Sequence, residues 1–387
     1  MIDTARAAQI ASGNDDSFVH VIRSEIDLAE NKDVYSNEVY EKAAENLEKM
    51  EKSGLLVQDK KPCYYIYRQL QGGREQNGIC ALAGIDDYAQ GKIKKHELTL
   101  PAKEEDRLNH FLACRAHTEP VFLFYKKNDA IGALIKKLKD KYSPVYDFTD
   151  EAATTHTLWV VSDDDDIQEL MGMLEEQECL YIADGHHRSA SSVMAGMYMR
   201  GKYPDYEPDA QFNYIMAVAF PENELNVMDY NRLLKDTGEY TAEEFAERLK
   251  ADFIVEKLEK MQRASEPHTF MMYINGAWYR LTAKSGSFDE KDSIASLDAS
   301  ILQNNVFDKI LGITDPRTSP RLSFVGGING YKALSDKVDD NSYSAAFALF
   351  PVTTQQLRKV ADENKVMPPK STWFEPKLAS GLFIHKF

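Results

Sequence analysis

The segment 184–188, Asp-Gly-His-His-Arg, combines residue types that suit the binding of an anion. Residues 180–183 before it are typical of a strand, and apolar residues at helical spacing follow it, so the segment is predicted to be a strand-to-helix turn. Ligands gather at such turns, where amide donors and the helix dipole favour negative charge. Gly185 lets a ligand approach the backbone, and Arg188 can grip phosphate or carboxylate with two parallel bonds. Asp184 could coordinate Mg²⁺, act as a base or cap the helix.

A second group consists of His96-Glu97 in a loop, followed by Lys103 and Arg107. Pro101 is typical of a first helical turn, which places Lys103 and Arg107 four residues apart on one helix face. A zinc protease would need a second histidine four residues after His96, and the sequence lacks it. Two interpretations remain: a base accompanied by phosphate-binding groups, or a solvated helix face with ordinary ion pairs.

The segment 368–372, Pro-Pro-Lys-Ser-Thr, ends like a P-loop but has prolines where a P-loop has glycines. It is therefore not a P-loop. A rigid loop that presents a lysine and two hydroxyls, with Trp373 and Lys377 beside it, could still close over a ligand.

Periods of 3.6 and 2 alternate along the chain with short linkers, which predicts an α/β class with a mixed α+β sheet. The length of 387 residues indicates two domains, which we place at 1–220 and 221–387. Gly72-Gly73 and Asn275-Gly276 are predicted hairpin turns. Helix N-caps are predicted at three polar residues: Ser36, Ser162 and Asp298.

The formal charge of −16 excludes a broad basic surface, so nucleic acid and anionic membranes are not expected partners. The first residues show no secretory signal, and no apolar run is long enough to cross a bilayer, so we expect a cytoplasmic protein. Four widely spaced cysteines form no C-x-x-C pair, which predicts reduced residues of the core.

Five ordered motifs give the sequence a family resemblance. They are residues 17–28; His96-Glu97-x-Thr99 with Lys103 and Asp106-Arg107; His156-x-Leu-Trp159; residues 182–188; and residues 367–372 followed by Pro376-Lys377 and Gly381-Leu382. This series resembles the bacterial and archaeal family known as domain of unknown function 1015 over nearly the whole chain. The chain departs from the family at its start, where members usually carry a Pro-Tyr-Asp-Val-like motif.

The segment 184–188 is also similar to the phosphate-contacting motif of the ParB and sulfiredoxin superfamily, in particular its free-serine kinase branch. The resemblance implies a ParB/sulfiredoxin-like core in the first domain, which carries the H-E-x-T and D-G-H-H-R motifs, plus a second α/β domain with the C-terminal loop. It implies that Asp184 is a metal ligand or an acid/base group. Glu97 would be the upstream base.

These observations lead us to expect a nucleotide-dependent phosphotransferase acting on a small hydroxyl-bearing metabolite, such as free serine, with ATP, ADP or CTP and Mg²⁺ as cofactors. The predicted catalytic residues are Glu97, Asp184, His186 and His187. The predicted phosphate- and nucleotide-binding residues are Gly185, Arg188, His96, Thr99, Lys103, Arg107, Lys370, Ser371 and Thr372. The alternatives are a nucleotide-binding switch without turnover, and a metal-dependent hydrolase using His186, His187, Asp184 and His96.

Overall fold

The computed structural model describes residues 3–29 and 32–387, and the chain divides into two compact units. The first unit consists of Met1–Lys94, Leu98–Leu225 and Pro376–Phe387, and the second of Lys95–Glu97 and Asn226–Glu375. The main division after Leu225 lies close to the one predicted after residue 220. Two short segments differ from the predicted domains: 95–97 joins the second unit and 376–387 joins the first.

Both units mix helices with strands, which confirms the predicted mixed α/β class. The strands are β1 (Tyr64–Gln71), β2 (Arg74–Gly84), β3 (Ile93–Lys94), β4 (Ala116–His117), β5 (Val121–Tyr125), β6 (Tyr146–Thr149), β7 (Thr155–Val161), β8 (Leu180–Asp184), β9 (Tyr214–Pro221), β10 (Asn226–Met228), β11 (Tyr230–Leu234), β12 (Phe253–Leu258), β13 (Thr269–Ile274), β14 (Ala277–Ala283), β15 (Leu322–Gly326), β16 (Ala345–Ala348), β17 (Trp373–Glu375) and β18 (His385–Lys386). The α-helices are α1 (Thr4–Ala11), α2 (Val19–Ile22), α3 (Asn37–Lys52), α4 (Ile85–Ala89), α5 (Pro101–Cys114), α6 (Asp129–Lys141), α7 (Asp164–Glu175), α8 (His186–Lys202), α9 (Ala242–Leu249), α10 (Asp298–Leu302), α11 (Gly330–Asp339) and α12 (Thr354–Asp362).

The first unit is built around an eight-stranded mixed sheet with the order β3-β8-β5-β9-β2-β1-β7-β6. Only the pairs β3–β8 and β5–β9 are parallel among its described ladders. Apolar residues of α6 and α7, such as Leu134 and Leu170, pack on this sheet in one buried cluster. The predicted hairpin at Gly72-Gly73 is present, and both glycines have positive φ, 56° and 79°. The sheet brings the end of β8 beside the start of β5.

Gly78 in β2 is the site of a strong stability prediction. A Cβ at this position would lie 2.5 Å from a methyl carbon of Val218 and 2.7 Å from the ring of Phe220, both fully buried. We expect Gly78→Ala to destabilise the protein by about 1–3 kcal/mol through overpacking. Urea denaturation measures this, with Gly132→Ala as the control. Gly132 lies in α6 with open space around it, so its substitution should be neutral or stabilising by up to about 1 kcal/mol. Equal effects of the two substitutions would contradict the prediction.

The second unit contains a six-stranded antiparallel sheet with the order β12-β14-β13-β16-β11-β15. Buried apolar clusters cover it, one including Phe245 of α9 and the other Leu334 of α11. The predicted turn at Asn275-Gly276 joins β13 to β14, and its φ angles of 47° and 71° are those of a type I′ turn. Strand β11 lies near the edge of this sheet, between β16 and β15.

The predicted N-caps are only partly correct. Ser36 does precede α3, but its hydroxyl is buried without a hydrogen-bond partner in the described part of the chain. The cap of α7 is Asp163, which accepts from the N–H of Asp166, rather than Ser162. Asp298 is the first residue of α10, and its carboxylate instead accepts from the N–H groups of His268 and Phe350. Only for Asp298 do donors distant in the sequence explain the difference, because Asp163 caps α7 through a local bond.

The C-terminal strand β18 pairs with β4 and places His385 opposite His117, with their Nδ1 atoms 3.4 Å apart. Burial, with the neighbouring His385, lowers the pKa of His117 to about 3. Burial also lowers the pKa of His385 to about 4. Both rings are therefore neutral in the folded protein near pH 7.

Acid should weaken the folded state because of this pair. The unfolded histidines take up protons near pH 6.5, whereas the folded rings do so only near pH 3–4. Between these values the unfolded state binds more protons, so the free energy of unfolding falls with falling pH, by up to about 1.4 kcal/mol per pH unit for each histidine. Denaturation curves between pH 7.5 and 5 measure this slope. His385→Gln should make the slope shallower, and an unchanged slope would contradict the prediction.

Two further expectations concern the cysteines, predicted to be reduced core residues, and the apolar runs, predicted to be too short to cross a bilayer. All four cysteines are unpaired, with Cys80 and Cys114 buried and Cys63 and Cys179 partly exposed. Of the four cysteines predicted to lie in the core, only two are therefore buried, and their reduced state stays a prediction. In residues 3–29 and 32–387, the helices are too short or too polar to span a membrane.

Candidate active site

The predicted strand-to-helix turn is present in the first unit. Strand β8 ends at Asp184, Gly185 has φ +95°, and the 17-residue helix α8 begins at His186. Gly185 is itself the N-cap, so the option that Asp184 caps the helix is wrong. The backbone carbonyl of Gly185 accepts from the N–H and the hydroxyl of Ser189. Because no side chain caps α8, the positive end of a long helix faces the turn.

Arg188 lies across this turn. Its Nη1 donates to the carbonyl of Pro120 at 2.7 Å, which fixes the guanidinium. A Cβ on Gly185 would lie 3.1 Å from Nε and 3.2 Å from Nη2 of Arg188, so this edge of the guanidinium covers the glycine. Neither Nε nor Nη2 donates a hydrogen bond to any of the described residues. The edge that binds carboxylate or phosphate in two parallel bonds thus lies over the turn, and its one charged contact among the described residues is Asp184, 3.9 Å from Nη2.

Asp184 carries the negative charge of the turn. Its Oδ2 lies 3.3 Å from Nζ of Lys377 and 3.9 Å from Nη2 of Arg188, and its side chain is 41% exposed. Desolvation raises the pKa of this carboxyl, but the charges of Lys377 and Arg188 outweigh it, and the pKa lies below its usual value. Asp184 is therefore ionised near neutral pH and open to a ligand.

Glu119 is a second carboxylate near Arg188. Desolvation raises its pKa, yet the charges of Arg188 and Arg107 and a hydrogen bond from Ser380 bring the pKa below its usual value. The hydroxyl of Ser380 donates to Oε1 at 2.8 Å. Three cations therefore surround this end of the sheet: Arg107, Arg188 and Lys377.

The segment 376–387 contributes Lys377 and Ser380 and is tied to the sheet by polar contacts. Nε2 of Gln69 donates to the carbonyl of Lys377 at 2.8 Å, and the N–H of Ala379 donates to the hydroxyl of Tyr67 at 3.3 Å. That hydroxyl lies 2.6 Å from Nδ1 of His156. His156 thus has the structural role that is usual for a histidine on a strand.

Three further predicted site residues of the first unit are His187, His186 and Thr99. Nε2 of His187 accepts from the N–H of Leu100 at 3.1 Å, so this nitrogen is unprotonated and cannot act as an acid there. His186 is only 5% exposed. The hydroxyl of Thr99 donates to the carboxylate of Glu104.

The predicted basic face of α5 is divided. Lys103 is exposed, whereas Arg107 is mostly buried and lies 3.3 Å from a carboxylate oxygen of Asp106. Of these two basic residues, Arg107 is the one whose charge lowers the pKa of Glu119.

Other predicted site residues belong to the second unit: His96, Glu97, Lys370, Ser371 and Thr372. There Nε2 of His96 lies 3.4 Å from Oγ1 of Thr372, and the hydroxyl of Ser371 donates to the carbonyl of Pro368 at 2.7 Å. The assignment of Glu97 as the base stays a prediction.

Sequence reasoning assigned no role to Glu119 or Ser380 and left Lys377 among the loop residues. Lys377 lies within the last of the five motifs, which was a usable signal. Glu119 had none, because it joins the site only through the antiparallel pairing of β5 with β8.

Within residues 3–29 and 32–387, no three His, Cys, Asp or Glu side chains are grouped to hold a metal ion. The hydrolase alternative, which needs a His-rich set, stays a prediction. Mg²⁺ differs, since it needs only one or two carboxylates beside substrate phosphates.

Comparisons with known proteins complete the description. Residues 1–300 match the family described as Protein of unknown function (DUF1015). No curated protein sequence matches this chain with significant similarity.

Among solved structures, SbnI with a C-terminal truncation from Staphylococcus aureus is 11% identical to this chain. Its TM-score is 0.42, and the match covers 79% of this chain and 87% of SbnI. A conserved hypothetical protein from Pyrococcus furiosus is 15% identical with a TM-score of 0.37, covering 78% and 93%. A free serine kinase in complex with AMP is 13% identical with a TM-score of 0.38, covering 76% and 86%. At these values, the ligands of those proteins do not identify the ligand of this chain.

Proposed function

This chain belongs to the protein family of unknown function DUF1015, and we propose that its first unit is a nucleotide-dependent phosphotransferase acting on a small hydroxyl-bearing metabolite. The observation that carries the proposal is the Nε–Nη2 edge of Arg188, which lies over Gly185 and donates no hydrogen bond to the described residues. The edge faces the start of α8. Two kinds of hydrogen-bond donor for a phosphate, the guanidinium and the first amide groups of the helix, therefore meet at one turn.

The charges around the turn suit phosphoryl transfer. Arg188 and the α8 terminus bind phosphate oxygens, and Lys377 adds a second positive charge beside Asp184. Phosphoryl transfer depends mainly on positioning and on stabilising charge. The guanidinium of Arg188 is positioned by its bond to the carbonyl of Pro120, and the backbone of Lys377 by the bond from Gln69. In a chain with a formal charge of −16, such a local basic site favours small phosphorylated ligands over long polyanions.

The step we propose, written for ATP, is a direct transfer. The acceptor hydroxyl oxygen forms a bond to the γ-phosphorus, and the bond between the γ-phosphorus and the bridging oxygen breaks, so that ADP leaves. Asp184 orients the hydroxyl and takes up its proton. The low pKa of Asp184 makes it a weak base, which suffices because the proton is lost late in a loose transition state.

Asp184 is also the residue that would hold Mg²⁺, because it is ionised, 41% exposed and at the turn. When bound, the ion would neutralise charge on the phosphate oxygens.

The experiment is a transfer assay with ATP, ADP and CTP as donors and serine and related alcohols as acceptors. We expect one donor–acceptor pair to yield a phosphorylated product with wild-type protein and a strongly reduced yield with Arg188→Ala. Tight nucleotide binding without any product would indicate the switch alternative. Equal inactivity of folded wild type and variant with every donor, with no nucleotide bound, would overturn the proposal.

A further inference from the structure

Arg232 in the second unit is a buried charge that has no acidic partner among the residues that the structure describes. It lies on β11 and is only 4% exposed. Nη1 donates to the carbonyl of Tyr230 at 2.6 Å, Nη2 lies 3.5 Å from the carbonyl of Pro369, and the guanidinium stacks 4.6 Å from the ring centre of Phe324. Among the described residues, no carboxylate forms an ion pair with it. Burial lowers its pKa to about 10, which still leaves it charged near neutral pH.

A second cation lies beside it. Lys370 follows Pro369 directly, has its Nζ 5.8 Å from the ring centre of Tyr230 and forms no ion pair within the described part of the chain. Its φ of +57° is in the left-handed region, which is unusual for a lysine. Backbone held in such a conformation concentrates at ligand-binding sites.

Acidic residues near these cations have other partners. Asp229 is engaged by the side chain of Asn231, and Glu375 accepts from the indole N–H of Trp373. Trp373 packs edge-on against Tyr230 at 5.2 Å between ring centres. Arg232 thus contacts two carbonyls and the ring of Phe324, Lys370 contacts the ring of Tyr230, and no carboxylate of the described residues forms an ion pair with either cation.

A buried charge is costly unless it is paired and hydrogen-bonded, so a bound anion would stabilise Arg232. We propose that the second unit has an anion site between Arg232 and Lys370 that binds one oxyanion group, a carboxylate or a phosphate, of a small molecule. The N–H groups of Arg232 that do not bond the carbonyls of Tyr230 and Pro369 would hold the oxyanion, and the exposed side chain of Lys370 would close over it. This site is independent of the phosphotransferase proposal, because it uses residues of the second unit alone.

The test uses full-length protein carrying Arg188→Ala, so that the turn at Gly185 does not contribute. Calorimetric titration with inorganic phosphate and, separately, with malonate should detect one binding event. Its Kd should rise at least about 10-fold in Arg232→Met, which keeps the packing of the stem but removes the charge, since a charged hydrogen bond contributes about 1.5–3 kcal/mol. Lys370→Ala should raise it about 3- to 10-fold by removing one partly exposed charge contact.

Lys332→Ala is the matched control, because Lys332 is an exposed lysine of the same unit paired with Asp336. It should leave the Kd unchanged. The tighter of the two probes identifies phosphate or carboxylate as the ligand group. If Arg232→Met fails to fold, Lys370→Ala decides alone. No binding of either probe, or binding that Arg232→Met and Lys370→Ala leave unchanged, would overturn the proposal, whatever the outcome of the phosphotransfer assay.

Discussion

Replacing Arg188 by alanine should weaken the binding of ATP or ADP about 10- to 100-fold, because a hydrogen bond between charged groups contributes about 1.5–3 kcal/mol. The effect is large because the guanidinium is already fixed by Pro120, so that little ordering is required when phosphate binds. Arg188→Lys should give an intermediate affinity, since lysine keeps the charge but loses the two parallel bonds. Calorimetric titration with each nucleotide measures the three affinities.

The matched control is Arg200→Ala in the last turn of the same helix. Arg200 holds Asp86 with two bonds of 2.8 Å and also contacts Asn213, so its loss tests general damage to α8. Arg200→Ala should cost stability while the nucleotide affinity stays at the wild-type value. Equal affinity of Arg188→Ala, Arg200→Ala and wild type would show that phosphate binds elsewhere.

The second large effect is expected for Asp184→Asn. Loss of the proton acceptor should lower kcat about 10²- to 10⁴-fold. Nucleotide affinity without Mg²⁺ should be unchanged or higher, because Lys377 and Arg188 are no longer partly neutralised by a carboxylate. Steady-state kinetics and titration together separate the two quantities.

Asp164→Asn serves as the control, since Asp164 is an exposed carboxylate of α7 that contacts Lys61. Its kcat should equal that of wild type. Raising the Mg²⁺ concentration distinguishes the two roles of Asp184, because a lost metal ligand is compensated by more metal and a lost proton acceptor is not. An Asp184→Asn protein with the wild-type kcat would contradict both roles.

Local sequence signals predicted most of the elements that position the site. The prediction of the turn 184–188 required only an apolar strand, a glycine and a helical period. All three can be recognised within one short stretch of the sequence. The hairpins at Gly72-Gly73 and Asn275-Gly276 were equally readable, since their positive φ angles favour those residues. Cap positions were less certain, because Ser162 and Asp163 have similar preferences and the fold selected Asp163.

The partners of the turn depended on long-range contacts instead. Glu119 reaches Arg188 because β5 and β8 pair, and Lys377 reaches Asp184 because Gln69 and Tyr67 hold the C-terminal segment. No period or spacing within the sequence encodes these contacts, which span 193 residues for Lys377 and Asp184. Arg232 was overlooked for the same reason, since an arginine on an otherwise apolar strand shows its missing counter-ion only after folding.

The central claim is that phosphate binds at the turn formed by Gly185 and Arg188. A crystal structure of the protein with ADP and Mg²⁺ tests it most directly. We predict that a phosphate group lies within hydrogen-bond distance of Nε and Nη2 of Arg188 and of the first amide groups of α8. Phosphates bound away from both Gly185 and Arg188 would contradict the account.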